Sequence, residues 1–451
     1  MHNEQNFSEG KIFAPLVRFS LPVLLALFLQ TLYGAVDLWV VGKFAAAADV
    51  SAVSTGSQLM MTITLCVTSL AMGLTVLVGH RIGEGKPEQA GSAIAGGIWL
   101  FGTIGIVLSL LLMPFSGALA RLMQAPPEAF SRTRDYLFIC GAGTLFIVAY
   151  NLIGSVFRGL GDSKMPLISV LIACVLNIVG DLFTVAVLGL GTRGAAIATV
   201  FAQAVSVVLS FAIIRRKKLP FTLKKETLKR PHAQEIGDIL RIGTPIALQD
   251  LLVSVSFLLI LAIVNRLGVT VSAGVGVAEK MCGFAMLVPS AFMQSMSAFV
   301  AQNIGAKKPE RAKRALLYGI LTSFSIGVVM AYLNFFHGEW LAGLFANDAD
   351  VIAAAADYLK AYAIDCLLTA FLFCFIGYFN GIESTLFVML QGIISAFGVR
   401  VPISWLMSRQ VPVSLFHIGL ATPASSALQI LLCFGYFVLL QRRSKLAKPA
   451  E

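Results

Sequence analysis

Long apolar runs separated by short polar stretches make up nearly the whole chain, and the runs have the length of a bilayer crossing. They fall near residues 14–43, 50–80, 90–120, 136–157, 165–190 and 194–214, and again near 238–266, 270–302, 314–336, 351–380, 385–408 and 413–440. About 20 apolar residues in a helix span the hydrocarbon layer. The pattern therefore predicts an all-α integral membrane protein with twelve transmembrane helices, six in each half of the sequence.

The halves also match in detail. Ile82-Gly83-Glu84-Gly85-Lys86-Pro87-Glu88-Gln89-Ala90 returns 222 positions later as Ile304-Gly305-Ala306-Lys307-Lys308-Pro309-Glu310-Arg311-Ala312. Leu16-Val17-Arg18-Phe19-Ser20-Leu21-Pro22 corresponds to Ile239-Leu240-Arg241-Ile242-Gly243-Thr244-Pro245, and Phe157-Arg158-Gly159-Leu160 to Phe379-Asn380-Gly381-Ile382. Internal duplication of this kind fixes architecture before any site is considered. It predicts an N-terminal six-helix lobe over 1–217, a linker over 218–235 and a C-terminal six-helix lobe over 236–451. An even number of spans per repeat returns the chain to its starting side, so the lobes are expected to be parallel repeats.

Composition agrees with this class: 57% of residues are hydrophobic, 13% are charged and the mean hydropathy is +0.84. Orientation follows from Lys and Arg in alternate loops, 24 on one side against eight on the other. Both termini and the linker are then expected to be cytoplasmic, in a prokaryotic plasma (inner) membrane. The net charge of +11 is accounted for by this topology and by contact with anionic lipid. A nucleic-acid partner is not expected, because the basic residues are spread over several loops between spans. No charged leader with a small-residue cleavage site precedes the first run, which reads as a true span. The seven cysteines lie in apolar segments without metal-ligand spacing and read as small core residues. The five histidines lie in or near loops and give little support to a proton relay or a metal site. The absence of GxxxxGK[ST], HExxH and GxSxG argues against an enzyme and against ATP-driven transport by this chain alone.

Ionisable groups inside a span are costly unless paired or facing a wet cavity, so each is a functional candidate. Asp37 lies six residues before Lys43 at the end of the first run, or roughly 9 Å along a helix. Asp181 lies at a similar depth in the fifth run, with Asn177 one turn away on the same face, and Thr199 at that level in the sixth. Two carboxylates at one depth in a low dielectric cannot both stay ionised without a compensating cation. The group therefore reads as a site for a proton, sodium or a cationic substrate. Separate buried struts are the alternative, and for Asn177 and Thr199 taken alone helix-packing hydrogen bonds serve equally well.

The second half offers Asp250, Glu279 with Lys280, Asp365 and Arg400. Two of these are basic, so self-neutralising salt bridges are the expectation there. The repeat aligns Asp37 with Ile260 and Asp181 approximately with Ile403, which confines coupling chemistry to the first lobe. Pro22 and Pro245 occupy equivalent positions, where a missing amide hydrogen bond permits a kink, and Pro22 is a candidate conformational hinge. A proline in a first helical turn carries no such meaning.

These residues resemble the multidrug and toxic compound extrusion (MATE) transporters over essentially residues 10–440. The resemblance is carried by the two six-helix lobes, by the Ile-Gly-x-x-x-Lys-Pro-Glu segments after the second and eighth spans, and by Phe157-Arg158-Gly159-Leu160-Gly161-Asp162-Ser163. Within the family the chain looks most like the DinF-like branch. That likeness implies a first-lobe cation site at Asp37, Asn177, Asp181 and Thr199, with Pro22 matching the proline of helix one. The NorM-like branch has an acid in helix ten where this chain has Thr369, with Asp365 one turn away, and an Arg where it has Asn380. The resemblance implies an antiporter that exports amphipathic, often cationic organic compounds in exchange for H+ or Na+, without a further cofactor and as a monomer. A flippase for lipid-linked or polysaccharide precursors, from the same superfamily, is the alternative.

Overall fold

The computed structural model describes residues 7–217, 219–221 and 233–446. Most of the linker expected over 218–235 lies outside the described residues. Among those described, every regular element is helical. In chain order these are α1 (Phe13–Phe44), α2 (Ala47–Gly83), α3 (Pro87–Leu122), α4 (Pro127–Ala142), α5 (Thr144–Gly159), α6 (Lys164–Asp181) and α7 (Gly191–Arg216). The second series is α8 (Ala233–Asn265), α9 (Val269–Ala285), α10 (Leu287–Gly305), α11 (Pro309–Phe336), the short α12 (Gly338–Gly343), α13 (Ala349–Gly381), α14 (Thr385–Ser395), α15 (Val401–Met407), α16 (Leu415–Gly419) and α17 (Ala421–Leu446). Wider π-turns continue α6 over Leu182–Val187 and join α14 to α15 over Ala396–Arg400.

Among the described residues eleven helical spans are long and apolar enough to cross a membrane, with α9–α10, α14–α15 and α16–α17 each counted as one, and α4 with α5 makes a twelfth crossing bent by 52°. Their outward faces carry large apolar side chains, among them Trp39, Leu110, Phe183 and Leu431, that would be exposed to water in a soluble protein. A lipid-facing surface explains them.

The duplicated Lys-Pro-Glu segments explain two of the turns. Pro87 opens α3 and Pro309 opens α11, where the missing amide hydrogen costs nothing and the fixed φ suits a helix start. Glu88 and Glu310 follow in the first turn, favourable at the positive end of the helix dipole. In the same way Asp162 begins α6, its Oδ1 accepting the backbone amides of Lys164 at 2.9 Å and Met165 at 3.3 Å.

The chain divides into two compact units, each counted over its described residues. The first comprises Met1–Gly10, Val17–Ala247 and Ala301–Lys308, and the second Lys11–Leu16, Leu248–Val300 and Pro309–Glu451. Within the first unit the repeated Ile-Gly segments meet. A Cβ on Gly83 would lie 2.0 Å from the Gln302 carbonyl oxygen, and one on Gly305 would lie 2.2 Å from that of His80. Positions 80 and 83 map onto 302 and 305 by the 222-residue repeat, so the contact is reciprocal. Only a residue without a Cβ allows backbones this close. The Gln302 side-chain Nε2 also donates a hydrogen bond to the Gly159 carbonyl at 2.9 Å.

Each unit also has an apolar core beside its polar cluster. In the first, Val40, Val41, Val53, Tyr136, Leu137, Ile147 and Val185 pack together. In the second, Ile260, Val264, Val275, Tyr358, Tyr362 and Cys366 do so. All seven cysteines are free thiols and six are buried.

Candidate functional site

The first unit brings Asp37 from α1, Asn177 and Asp181 from α6 and Thr199 from α7 to one place. Asn177 and Asp181 are one turn apart, so both project from the same face of α6. The Asn177 Nδ2 donates to Thr199 Oγ1 at 3.3 Å, and Thr199 Oγ1 lies 3.5 Å from Asp37 Oδ2 and 3.0 Å from its own helix at the Ala195 carbonyl. The Asp37 carboxyl faces Asp181, Asn177 and Thr199 together. Asp181 is fully buried, Asn177 and Asp37 nearly so, and Thr199 half-buried.

The donors fall short of the acceptors. Asp37 Oδ1, Asn177 Oδ1 and both carboxylate oxygens of Asp181 are buried without a hydrogen-bond partner. Unpaired buried acceptors cost on the order of 1–3 kcal/mol each, and more when ionised. Among the described residues no Lys or Arg forms an ion pair with either carboxylate. The arrangement is a set of hard oxygen ligands with no cation of its own. The π-turn that begins at Leu182 follows Asp181 directly, and such wider turns recur at functional sites.

Two neighbours escaped the reading of the sequence. Tyr33 is one turn before Asp37 on α1, half-buried and facing it, and Gln203 is one turn after Thr199, buried, and meets Tyr33. The available signal was a repeated i, i+4 spacing: Tyr33 with Asp37, Asn177 with Asp181, Thr199 with Gln203. Two further acids are structural pins. Asp49 accepts from the Thr192 hydroxyl at 2.7 Å and the Thr192 amide at 3.1 Å, and pairs with Arg132 at 3.2 Å. Gly191 beside it has φ +51°, and a Cβ there would sit 2.7 Å from Asp49 Oδ1. Asp135 pairs with Arg193 at 2.7 Å and Arg134 at 2.9 Å.

Pro22 lies in the interior of α1, nine residues after its start at Phe13. The first-turn explanation is thereby removed, since an interior proline deletes a helix hydrogen bond. It stands 15 residues before Asp37 on the same helix.

Among the described residues, four of the second unit's candidates, Glu279, Lys280, Asp365 and Arg400, are not gathered into salt bridges. Asp250 is half-buried on α8, Glu279 is half-buried on α9 and Lys280 beside it is exposed. Asp365 on α13 and Arg400 at the end of the second π-turn are both buried. Among the described residues no ion pair within 4 Å links Glu279, Lys280, Asp365 or Arg400. The guanidinium of Arg400 donates to Ser256 Oγ at 3.1 Å and lies over the Phe257 ring at 4.4 Å. Its attraction to Asp365 acts across a gap, because the aromatic face and the serine hold it. Thr369 bonds the Asp365 carbonyl of its own helix at 2.9 Å.

The comparisons with known proteins fit this architecture. The family model described as MatE matches residues 22–183 and 245–406, one block in each half. The "Probable multidrug resistance protein YoeA" of Bacillus subtilis is 24% identical over 98% of this chain and 97% of its own length. The "Probable multidrug resistance protein YpnP" of the same organism is 28% identical over 89% of this chain and 90% of its own. A solved transporter of the MOP superfamily from Pyrococcus furiosus, whose binding pocket is described as having reverse polarity, superposes with a TM-score of 0.91 at 22% identity. The match covers 99% of both chains. With its duplicated six-span halves and the MatE match repeated in each, the chain belongs to the MATE family of multidrug efflux transporters.

Proposed function

We propose that this transporter is a secondary active antiporter that exports amphipathic, cationic organic compounds in exchange for H+ or Na+. Asp37, Asn177, Asp181 and Thr199 form its coupling site. The observation that carries this reading is the four buried oxygens without donors, on two carboxylates and an amide that have no basic partner. A proton would bridge the carboxylates; sodium would be ligated by the same hard oxygens. Either ion stabilises the loaded site and leaves the empty one electrostatically unbalanced.

Antiport requires that ion and substrate favour different states of the protein. Loading the site changes the charge next to α1, and the interior Pro22 gives that helix a place to bend in response. Entry of the ion from outside then drives the state that releases substrate. The charge distribution of the loops supports cytoplasmic termini in a prokaryotic plasma membrane, and the likeness to the family supports action as a monomer.

The test is efflux of a fluorescent cationic dye from proteoliposomes under an imposed pH gradient or an imposed sodium gradient. Wild type should extrude dye under one of these gradients, and Asp37→Asn and Asp181→Asn should not, although both remain folded in the membrane. Full gradient-driven efflux in the Asp181→Asn variant would overturn the assignment.

A further inference from the structure

The two MatE blocks are displaced by 223 positions, 245 against 22 and 406 against 183. That displacement carries Asp37 onto Ile260, Asn177 onto Arg400 and Asp181 onto Ser404. The earlier sequence alignment of Asp181 with Ile403 is thus shifted by one residue. Ile260 is buried in the apolar core of the second unit, where Asp37 holds an acid in the first. Arg400 stands at the amide's position and points the same way, onto α8, since it meets Ser256 and Phe257 one turn before Ile260.

Arg400 is 4% exposed, and its Nε is buried without a partner. The acid of opposite charge buried in the same unit is Asp365, not within ion-pair distance but 2% exposed, with Oδ1 also unpartnered and the carboxyl facing Ser426 of α17. The other titratable groups around Asp365 are Glu279 and Cys282 from α9, and Tyr358, Tyr362 and Cys366 from α13 itself. Among the described residues Arg400 is the one buried cation beside these groups. An ionised Asp365 in this setting needs a positive charge nearby, and the chain supplies it covalently.

We propose that Arg400 is a tethered cation that takes, in the second lobe, the place a coupling ion takes in the first, and so limits ion coupling to one lobe. Removing it converts Asp365 into a second ion-binding carboxylate. Arg400 is in this sense a positioning residue for coupling: it sets how many ions move per substrate without binding either. The stoichiometry part rests on the first-lobe reading above; the charge state of Asp365 does not.

Infrared spectroscopy of the full-length protein in lipid tests the charge state without any transport. In wild type at neutral pH, Asp365→Asn should remove an ionised carboxylate band. In the Arg400→Gln background, Asp365→Asn should instead remove a protonated carboxyl band, and Arg400→Lys should restore the wild-type difference. Glu279→Gln serves as the control that assigns the band to Asp365. In proteoliposomes, the reversal potential of Arg400→Gln should report one more coupling ion per substrate than wild type, with Arg400→Lys at the wild-type value.

Should Arg400→Gln fail to fold, the wild-type pair decides. Loss of a protonated band on Asp365→Asn there would overturn the proposal, because Arg400 would then not be balancing a carboxylate. An unchanged band pattern and unchanged stoichiometry in folded Arg400→Gln would overturn it equally. Failure of all gradient-driven efflux in wild type would sink the first-lobe reading and leave the infrared result standing.

Discussion

The two halves of this transporter share a helical frame and differ in what they place inside it. In the first, α1, α6 and α7 converge two carboxylates, an amide and a hydroxyl, leaving four buried acceptors without donors. At the corresponding positions of the second, a buried isoleucine, a guanidinium held by Ser256 and Phe257, and a serine occupy the frame. The difference separates scaffold from chemistry. Duplication copies helix positions and their apolar packing, whereas the charge at a few interior sites is free to diverge, and on the proposed reading it is that charge which decides whether a lobe can load an ion.

The largest expected effect breaks the comparison at its acidic end. Asp181→Asn, and equally Asp37→Asn, should reduce gradient-driven efflux to the level of protein-free liposomes, with the variant still recovered in the membrane. Ser404→Ala, the substitution at the equivalent second-lobe position, should leave efflux and thermal stability near wild type. Its hydroxyl is buried without a partner, so removing it relieves an unmet hydrogen bond and breaks none. If the two substitutions had equal effects, the proposed asymmetry of the lobes would be wrong.

A second experiment transplants the acid. Ile260→Asp places a carboxylate one turn from the residues that hold Arg400, in an apolar core. With Arg400 shared between the new carboxylate and Asp365, the variant should lose some stability yet remain folded, whereas Ile260→Asp/Arg400→Gln, with two buried carboxylates and no cation, should be lost from the folded fraction. Leaving a buried charge uncompensated costs about 3–5 kcal/mol, and a double-mutant cycle on thermal stability in detergent measures it. Additive effects of the two changes would show that Arg400 does not reach the Asp37-equivalent position.

Much of this was readable in the sequence. Twelve apolar runs became eleven helical spans and one bent pair, because run length against bilayer thickness is a strong constraint. The membership of the first-lobe cluster was readable too, from depth and i, i+4 spacing of acids in apolar helices. Tyr33 and Gln203 were not, since a tyrosine or glutamine in a span has too many ordinary roles to stand out. For Asp365 and Arg400 the expected salt bridge is absent for a geometric reason. Sequence shows that Asp365 and Arg400 are both interior, but not that Phe257 and Ser256 draw the guanidinium away from direct contact. Asp49 and Asp135 each stand one residue before an apolar run, at 50–80 and 136–157, so nothing in the run itself marked them.

Where the halves agree, the effects should be smaller and alike. Gly83 and Gly305 each press backbone against the other's helix end, so Gly83→Ala and Gly305→Ala should each cost about 1–3 kcal/mol, the usual range for overpacking. Because the two residues share one contact, the double variant should cost less than the sum, and thermal unfolding in detergent will show it. Full additivity would mean that the two crossings are independent.

The smallest effect lies in the turn next to that contact. Lys86, 3.0 Å from Glu84, and Arg81, at 3.5 Å, hold its carboxyl below the ordinary carboxylate range against the opposing pull of partial desolvation. The second repeat has Ala306 there, so the pair exists in one half only. A group whose folded-state pKa is depressed contributes stability above its unfolded pKa and loses it as pH falls through the lowered one. The Glu84 carboxylate is partly solvent-exposed and screened, which limits the gain to at most about 1 kcal/mol. Glu84→Gln should therefore lower thermal stability slightly at pH 7, with the difference from wild type vanishing in acid and shrinking in high salt. A difference that grew on acidification would mean that Glu84 is stabilised in its neutral form and that Lys86 and Arg81 do not govern it.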